Sequence, residues 1–200
     1  PDGRKLAFSS DREGSLDIFV VDSKGGSPRR LTSYSGKETP LAFKDNDHVV
    51  FSSSVQPDRR AAQGDFSSQV YVVDLEGHRP EMMVSYAMPA LSIGKDGKVL
   101  YQDKKGFENE WRKHERSSGT GDIWLMDNGR HSKLTSFNGH DLNPVWAPDG
   151  NFYFISEEDG TLNVYKRSVD GRLKTQLTKF TTHPVRSLSA SDAGKLAFSW

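Results

Sequence analysis

One short turn recurs along this chain and constrains its fold more than any other feature. It is Pro1-Asp2-Gly3 at the start, and it returns with an aspartate at positions 45, 96, 149 and 192. Consecutive turn aspartates are 43, 51, 53 and 43 residues apart. A period in the forties, with short apolar strands between the turns, is typical of a β-propeller.

The segment 142–179 contains the repeat in its clearest form. It has four short runs rich in aromatic and β-branched residues, and Asp-Gly turns separate the first run from the second and the third from the fourth. Such runs predict strands, here named A to D in chain order, at 143–147, 152–156, 162–166 and 174–178. Four strands make one propeller blade.

Aligning the other turns on this repeat divides the chain into segments of about 1–35, 36–86, 87–137, 138–180 and 181–200. The first segment holds strands B, C and D, and the last holds only A and B. We therefore predict an all-β fragment of three complete four-stranded blades and two partial blades. Closed propellers have roughly four to eight blades, and we expect about six in the parent domain.

Composition excludes several classes of function. Lys+Arg and Asp+Glu both number 27, so the chain has no net field to attract nucleic acid over long range. No run approaches the roughly 18 apolar residues of a membrane span. The chain has no cysteine, which excludes disulfides and thiolate metal sites. We therefore expect no nucleic-acid partner and no membrane insertion.

Motifs for catalysis or cofactor binding are absent from the sequence. It has no Gly-x-Ser-x-Gly elbow, phosphate loop or dinucleotide fingerprint, and its six histidines do not have metal-ligand spacing. Asp17, Asp122 and Asn163 open equivalent C strands. They could form a calcium-binding ring, but we expect short polar side chains there to bond local backbone groups. The prediction is no catalytic residue, no metal site and no cofactor.

Two repeats are longer than the others, and both carry the excess between strands B and C, at 53–68 and 103–121. Loops on a rigid scaffold are common places for binding residues. Cations and aromatic groups suit peptide recognition, so the candidate binding residues are Arg59, Arg60, Trp111, Arg112 and His114. The alternative is that Phe107 and Trp111 pin the second loop while its charges are solvated.

The repeat resembles the propeller repeats of TolB and of the tricorn-type serine peptidases. The residues that carry this resemblance are 143–156, 17–22, 122–127 and the Leu-Thr pairs beginning at 31, 134 and 177. The long loop that runs from Tyr101 to His114 looks like that of the amino-terminal propeller in bacterial tricorn-like peptidases, whereas TolB blades generally lack one.

The resemblance implies a multidomain enzyme in which the propeller precedes a PDZ domain and a serine catalytic domain. No position here matches the family's catalytic residues. The expected partners are peptides or unfolded protein segments and the remaining domains of the same polypeptide. The expected compartment is the periplasm or outside the cell, with the cytoplasm as the alternative. Two other functions stay open: a TolB-like interaction scaffold, and an enzyme with its pocket in the central funnel.

Overall fold

A computed structural model describes residues 2–54, 68–106 and 114–200. In these ranges the regular structure consists of seventeen β-strands, and no helix of the length and apolarity needed to cross a membrane occurs. The chain divides into two compact units, residues 1–88 and residues 89–200. Each unit is described by itself.

The first unit contains two antiparallel sheets whose strands follow one another in chain order. The three-stranded sheet consists of β1 (Lys5–Ser10), β2 (Asp17–Asp22) and β3 (Arg29–Arg30). The four-stranded sheet consists of β4 (Thr39–Phe43), β5 (His48–Ser53), β6 (Gln69–Asp74) and β7 (Glu81–Val84).

The two sheets of the first unit share one apolar core. Ile18 and Val20, which point to the same side of β2, pack with Phe51 of the second sheet, and other members of the cluster are Leu31, Val49, Tyr71, Val73 and Leu75. A polar contact also connects the two sheets beside this core: the guanidinium of Arg29 donates to the carbonyl of Leu75.

The second unit contains two four-stranded sheets and one two-stranded sheet, all antiparallel. The first consists of β8 (Leu91–Ile93), β9 (Val99–Gln102), β10 (Ile123–Asp127) and β11 (Arg130–Lys133). The second consists of β12 (Asp141–Trp146), β13 (Phe152–Ser156), β14 (Asn163–Arg167) and β15 (Lys174–Gln176). The last pairs β16 (Arg186–Ala190) with β17 (Leu196–Ser199).

Strand β13 contributes to two separate cores. Phe152 and Phe154 pack in a cluster with Leu100 and Ile123 of the preceding sheet. The alternate residues of the strand, Tyr153 and Ile155, point to the other side and join a cluster with residues of the two-stranded sheet. Alternate side chains of a strand face opposite sides of its sheet, so both faces of this strand are buried. This is the arrangement expected of stacked blades.

The predicted fold class is confirmed. The five sheets have three, four, four, four and two strands, as the repeat alignment predicts. The predicted strand ends are less accurate. In the clearest repeat strand A begins at Asp141, strand C runs Asn163–Arg167, and strand D ends at Gln176 rather than at Thr178.

The Leu-Thr pairs end strand D early for a physical reason. In each pair the leucine N–H donates to a carbonyl near the start of strand C, that of Ile18, Ile123 or Val164, at 2.8 Å. The threonine hydroxyl, and not a strand carbonyl, then accepts the N–H of the same residue. This bond measures 2.9 Å from Ile18 to Thr32, 3.0 Å from Ile123 to Thr135 and 2.9 Å from Val164 to Thr178.

Two of these hydroxyls lie beside an acid at the start of the next blade. Thr32 donates to Glu38, which immediately precedes β4, and Thr135 lies near Asp141, the first residue of β12. Both acids are only 1% exposed. Burial raises the pKa of Glu38 to about 7 and that of Asp141 to about 6. The joints therefore hold carboxyl groups that take up a proton at a higher pH than ordinary carboxyl groups do.

Replacing Glu38 by glutamine is expected to remove part of the pH dependence of stability in the first unit. Because the pKa of Glu38 is raised from 4.5 to about 7, its contribution is full below pH 4.5 and is lost as the pH rises through 7. The glutamine stays neutral and can still accept from Thr32. We expect E38Q to gain about 2 kcal/mol over the wild type between pH 5 and pH 8.

Hydrogen exchange of β2 amides in both proteins, at matched pH, measures this difference in opening free energy. Parallel pH profiles for the wild type and E38Q would contradict the prediction.

Candidate functional site

The long loop of the second unit connects β9 to β10, residues 103–122, and its ends are held together by backbone and side-chain bonds. The Asp103 N–H donates to the carbonyl of Asp122 at 3.0 Å, and the Asp122 N–H donates to Oδ1 of Asp103 at 2.7 Å. The other oxygen of Asp103 accepts the indole N–H of Trp124 at 3.0 Å. Burial raises the pKa of Asp103. The loop therefore leaves the sheet from a fixed base.

The side chain of Asp122 binds two cations at this base. It is 3% exposed, and its Oδ2 contacts Nζ of Lys105 and, at 2.7 Å, Nζ of Lys133. Lys105 also donates to the carbonyl of Thr120 at 2.7 Å. A buried carboxylate is costly without such partners. Lys105 thereby ties the outgoing strand of the loop to the returning one.

One of the two cations belongs to the repeat, and the other belongs to the loop. Lys133 stands just before a Leu-Thr pair, and in the first sheet Arg30 has the same position and pairs with the buried Asp17. In the fourth sheet the strand opens with Asn163, and the residue before Leu-Thr is the uncharged Gln176. A negatively charged residue at the start of strand C is thus accompanied by a basic residue just before the Leu-Thr pair, and a neutral one by a neutral residue.

These contacts also bear on the predicted role of the residues that open the C strands. Asn163 bonds backbone groups, since its Oδ1 accepts the N–H of Phe180 at 2.8 Å, whereas Asp17 and Asp122 form ion pairs with basic side chains. Among residues 2–54, 68–106 and 114–200, no cluster of His, Asp or Glu is arranged to hold a metal ion.

Glu157, in the turn after β13, holds the returning half of the loop. Its side chain is 4% exposed. One carboxylate oxygen accepts the N–H of His114 at 2.8 Å, and the other accepts the N–H of His140 at 3.3 Å. The imidazole of His140 in turn accepts the N–H of Gly121 at 3.4 Å. One buried carboxylate thus joins the loop to the connection between β11 and β12.

Arg116 makes a second attachment to the same connection. Its guanidinium donates to the carbonyl of Asn138 at 2.7 Å and lies 4.4 Å from the centre of the Phe137 ring. Gly139 permits this packing, because a Cβ at that position would stand 2.4 Å from the Phe137 ring. The part of the loop that the structure describes is therefore a built stem rather than a free chain.

Only one of the predicted binding residues lies in the described part of the chain. His114 adopts a φ of 58°, donates its backbone N–H to Glu157 and leaves its side chain 56% exposed. The predicted residues Arg59, Arg60, Trp111 and Arg112 lie outside the described residues, and so does Phe107 of the pinning alternative.

Sequence reasoning missed the residues that build the stem. Lys105 and Arg116 are two of many charged residues in a polar loop, and Glu157 falls in a segment that reads as an ordinary turn. Glu157 and His114 are 43 residues apart. Comparison of the repeats could have singled out Lys105. Lys133 already supplies the cation that the repeat provides for Asp122, so Lys105 is a second and additional cation.

Replacing Glu157 by alanine is expected to loosen the stem without unfolding the blade. The change leaves the N–H groups of His114 and His140 without their acceptor, at a cost of about 1 to 3 kcal/mol in local stability. Hydrogen exchange should therefore become faster in residues 114–122 and at His140, while β13 and β14 keep their protection.

The matched control is Glu158→Ala, which removes the neighbouring, half-exposed carboxylate that pairs with Lys174. Equal exchange of residues 114–122 in the two variants would show that Glu157 does not hold the loop.

Comparison with known proteins places this fold among relatives of similar architecture. The tricorn protease of Thermoplasma acidophilum is 26% identical over the whole chain, which covers 19% of that protein. A crystal structure of the tricorn protease superposes with a TM-score of 0.77 at 24% identity, covering 100% of this chain and 20% of that one. The putative TolB of Agrobacterium tumefaciens gives 0.70 at 20% identity, covering 99% of this chain and 66% of that one.

The chain thus spans about a fifth of the tricorn relatives that it matches. The family model for the tricorn protease N-terminal beta propeller domain matches residues 1–199. The chain therefore belongs to the family of tricorn protease N-terminal β-propeller domains.

Proposed function

We propose that this chain is a non-catalytic propeller module of a tricorn-like serine peptidase, and that it guides or filters peptide substrates toward a catalytic domain outside residues 1–200. The observation that carries the proposal is the family match over residues 1–199. In such an enzyme the catalytic domain performs acyl transfer to a serine and then to water, and the propeller contributes access and selectivity.

The construction of the long loop supports this role. Its stem is fixed by Lys105, Arg116 and Glu157, so both limbs of the loop start from a defined base. Presenting recognition residues on a fixed base lowers the entropy lost on binding. The stem also carries the exposed imidazole of His114. Trp111 and Arg112 are the residues of the loop that we assign to contact with peptides.

The partners follow from the same proposal. They are peptides or unfolded protein segments and the other domains of the polypeptide. We place the parent protein in the periplasm or outside the cell, with the cytoplasm as the alternative, and fractionation of native cells with antibodies to the chain distinguishes these compartments.

The second candidate is a TolB-like interaction scaffold without enzymatic activity. The likeness to the putative TolB structure, which extends over 99% of this chain, favours it. The two candidates differ in a simple assay, because purified full-length protein hydrolyses unfolded polypeptides only under the first.

Replacing Trp111 and Arg112 together by alanine is expected to weaken the handling of long substrates. In the full-length protein we expect kcat/KM to fall about five- to tenfold for an unfolded polypeptide, which corresponds to the loss of about 1 to 1.4 kcal/mol. A fluorogenic tripeptide, which needs no guidance, should be cleaved at the wild-type rate. Arg59 and Arg60, replaced together, test the other long loop in the same way.

The control is Arg172→Ala, which removes an exposed arginine from the turn between β14 and β15. A peptidase that loses activity on long and short substrates alike in the loop variants, or on neither, does not use the propeller as a filter.

A further inference from the structure

A pocket of about 670 Å³ lies at the opposite edge of the sheets from the long loop. The turns between β8 and β9, β12 and β13, and β16 and β17 surround it, together with the ends of β10 and β14. Its volume is within the range of small-ligand sites, about 300 to 1,000 Å³. The long loop leaves from Gln102 and Ile123, whereas Asp127 lines the pocket at the other end of β10.

The floor of the pocket is apolar and remains partly open to solvent. Its lining includes five half-buried apolar side chains, Ile93, Leu125, Trp146, Val169 and Ala190. A recess of this kind gains free energy when an apolar group of a ligand covers it.

The rim of the pocket carries an excess of one negative charge. Lys95 pairs with Asp192 at 3.1 Å, and Lys98 pairs with Asp96 at 2.7 Å. The fifth charged residue of the lining, Asp127, makes no ion pair of its own within the described ranges, although Lys98 is close enough to interact with it. Its Oδ1 accepts from the side chain of Asn128 at 2.9 Å, which leaves Oδ2 for a ligand.

We propose that this pocket binds the free amino terminus of a short peptide whose first side chain is large and apolar. The apolar side chain enters the recess formed by Leu125, Trp146 and Val169. The terminal ammonium pairs with Asp127, which has no lysine of its own because the nearby Lys98 pairs with Asp96. An acidic ligand is disfavoured, because both lysines of the rim already have carboxylate partners.

This site is separate from the long loop, so it goes beyond the filtering role and does not depend on it. Its test uses the full-length protein and the photoreactive amino-acid amide p-benzoyl-L-phenylalanine amide, which carries a free ammonium on a large apolar side chain. Irradiation should attach the probe to peptides that contain Leu125, Trp146 or Val169, as located by mass spectrometry.

Two changes should each reduce this labelling about five- to tenfold, in line with the loss of one partly exposed charge pair. The first is acetylation of the probe's amino group. The second is Asp127→Asn, which keeps the size of the side chain and its acceptor for Asn128. The matched control is Asp22→Asn, since Asp22 has the equivalent place at the end of β2 and does not line the pocket.

Three results would overturn the proposal: labelling confined to other parts of the protein, equal labelling by the acetylated probe, or equal labelling of D127N. The peptidase assay on long and short substrates reads out the long loop and not this pocket. Failure of one proposal therefore does not imply failure of the other.

Discussion

A single threonine hydroxyl makes two bonds that fix the edge of a blade, and most of what surrounds it depends on that arrangement. The Thr32 hydroxyl accepts the N–H of Ile18 and donates to Glu38, a buried acid just before the next blade. The Thr135 hydroxyl accepts the N–H of Ile123 and lies near the buried Asp141. At the third joint the residue equivalent to the acid is Val185, and Thr178 donates instead to Asn163 of its own blade. A hydroxyl suits this place because one oxygen both accepts and donates.

Burial raises the pKa of the acids at these joints, while the acids that open the C strands form ion pairs with basic side chains. Glu38 and Asp141 belong to the first kind, and Asp17 and Asp122 to the second. Both kinds are buried, and burying a charge is costly. The first kind meets this cost with a raised pKa, and the second with an ion pair. The long loop is attached at the second kind, where an ion pair already exists and one more cation can join it.

The sequence predicts the sheets well, because turns and alternating apolar strands are local signals that repeat with the blade. It predicts the strand ends less well, since a threonine hydroxyl can take the place of a strand carbonyl and end the ladder early. It does not predict the stem of the loop, because Glu157 and His114 are 43 residues apart in the sequence and meet only in the folded chain. Neither composition nor spacing marks Asp127, because the pocket that it lines is formed by turns of three different sheets.

The double ion pair at Asp122 has a consequence for how such a loop can arise and vary. Lys133 comes from the repeat and accompanies the carboxylate whether or not a loop is present, whereas Lys105 comes with the insertion. A lineage could therefore shorten, lengthen or replace the segment between β9 and β10 without leaving a buried charge alone. The blade edge can therefore carry loops of different length and sequence. The buried carboxylate of the blade keeps a paired cation in each case.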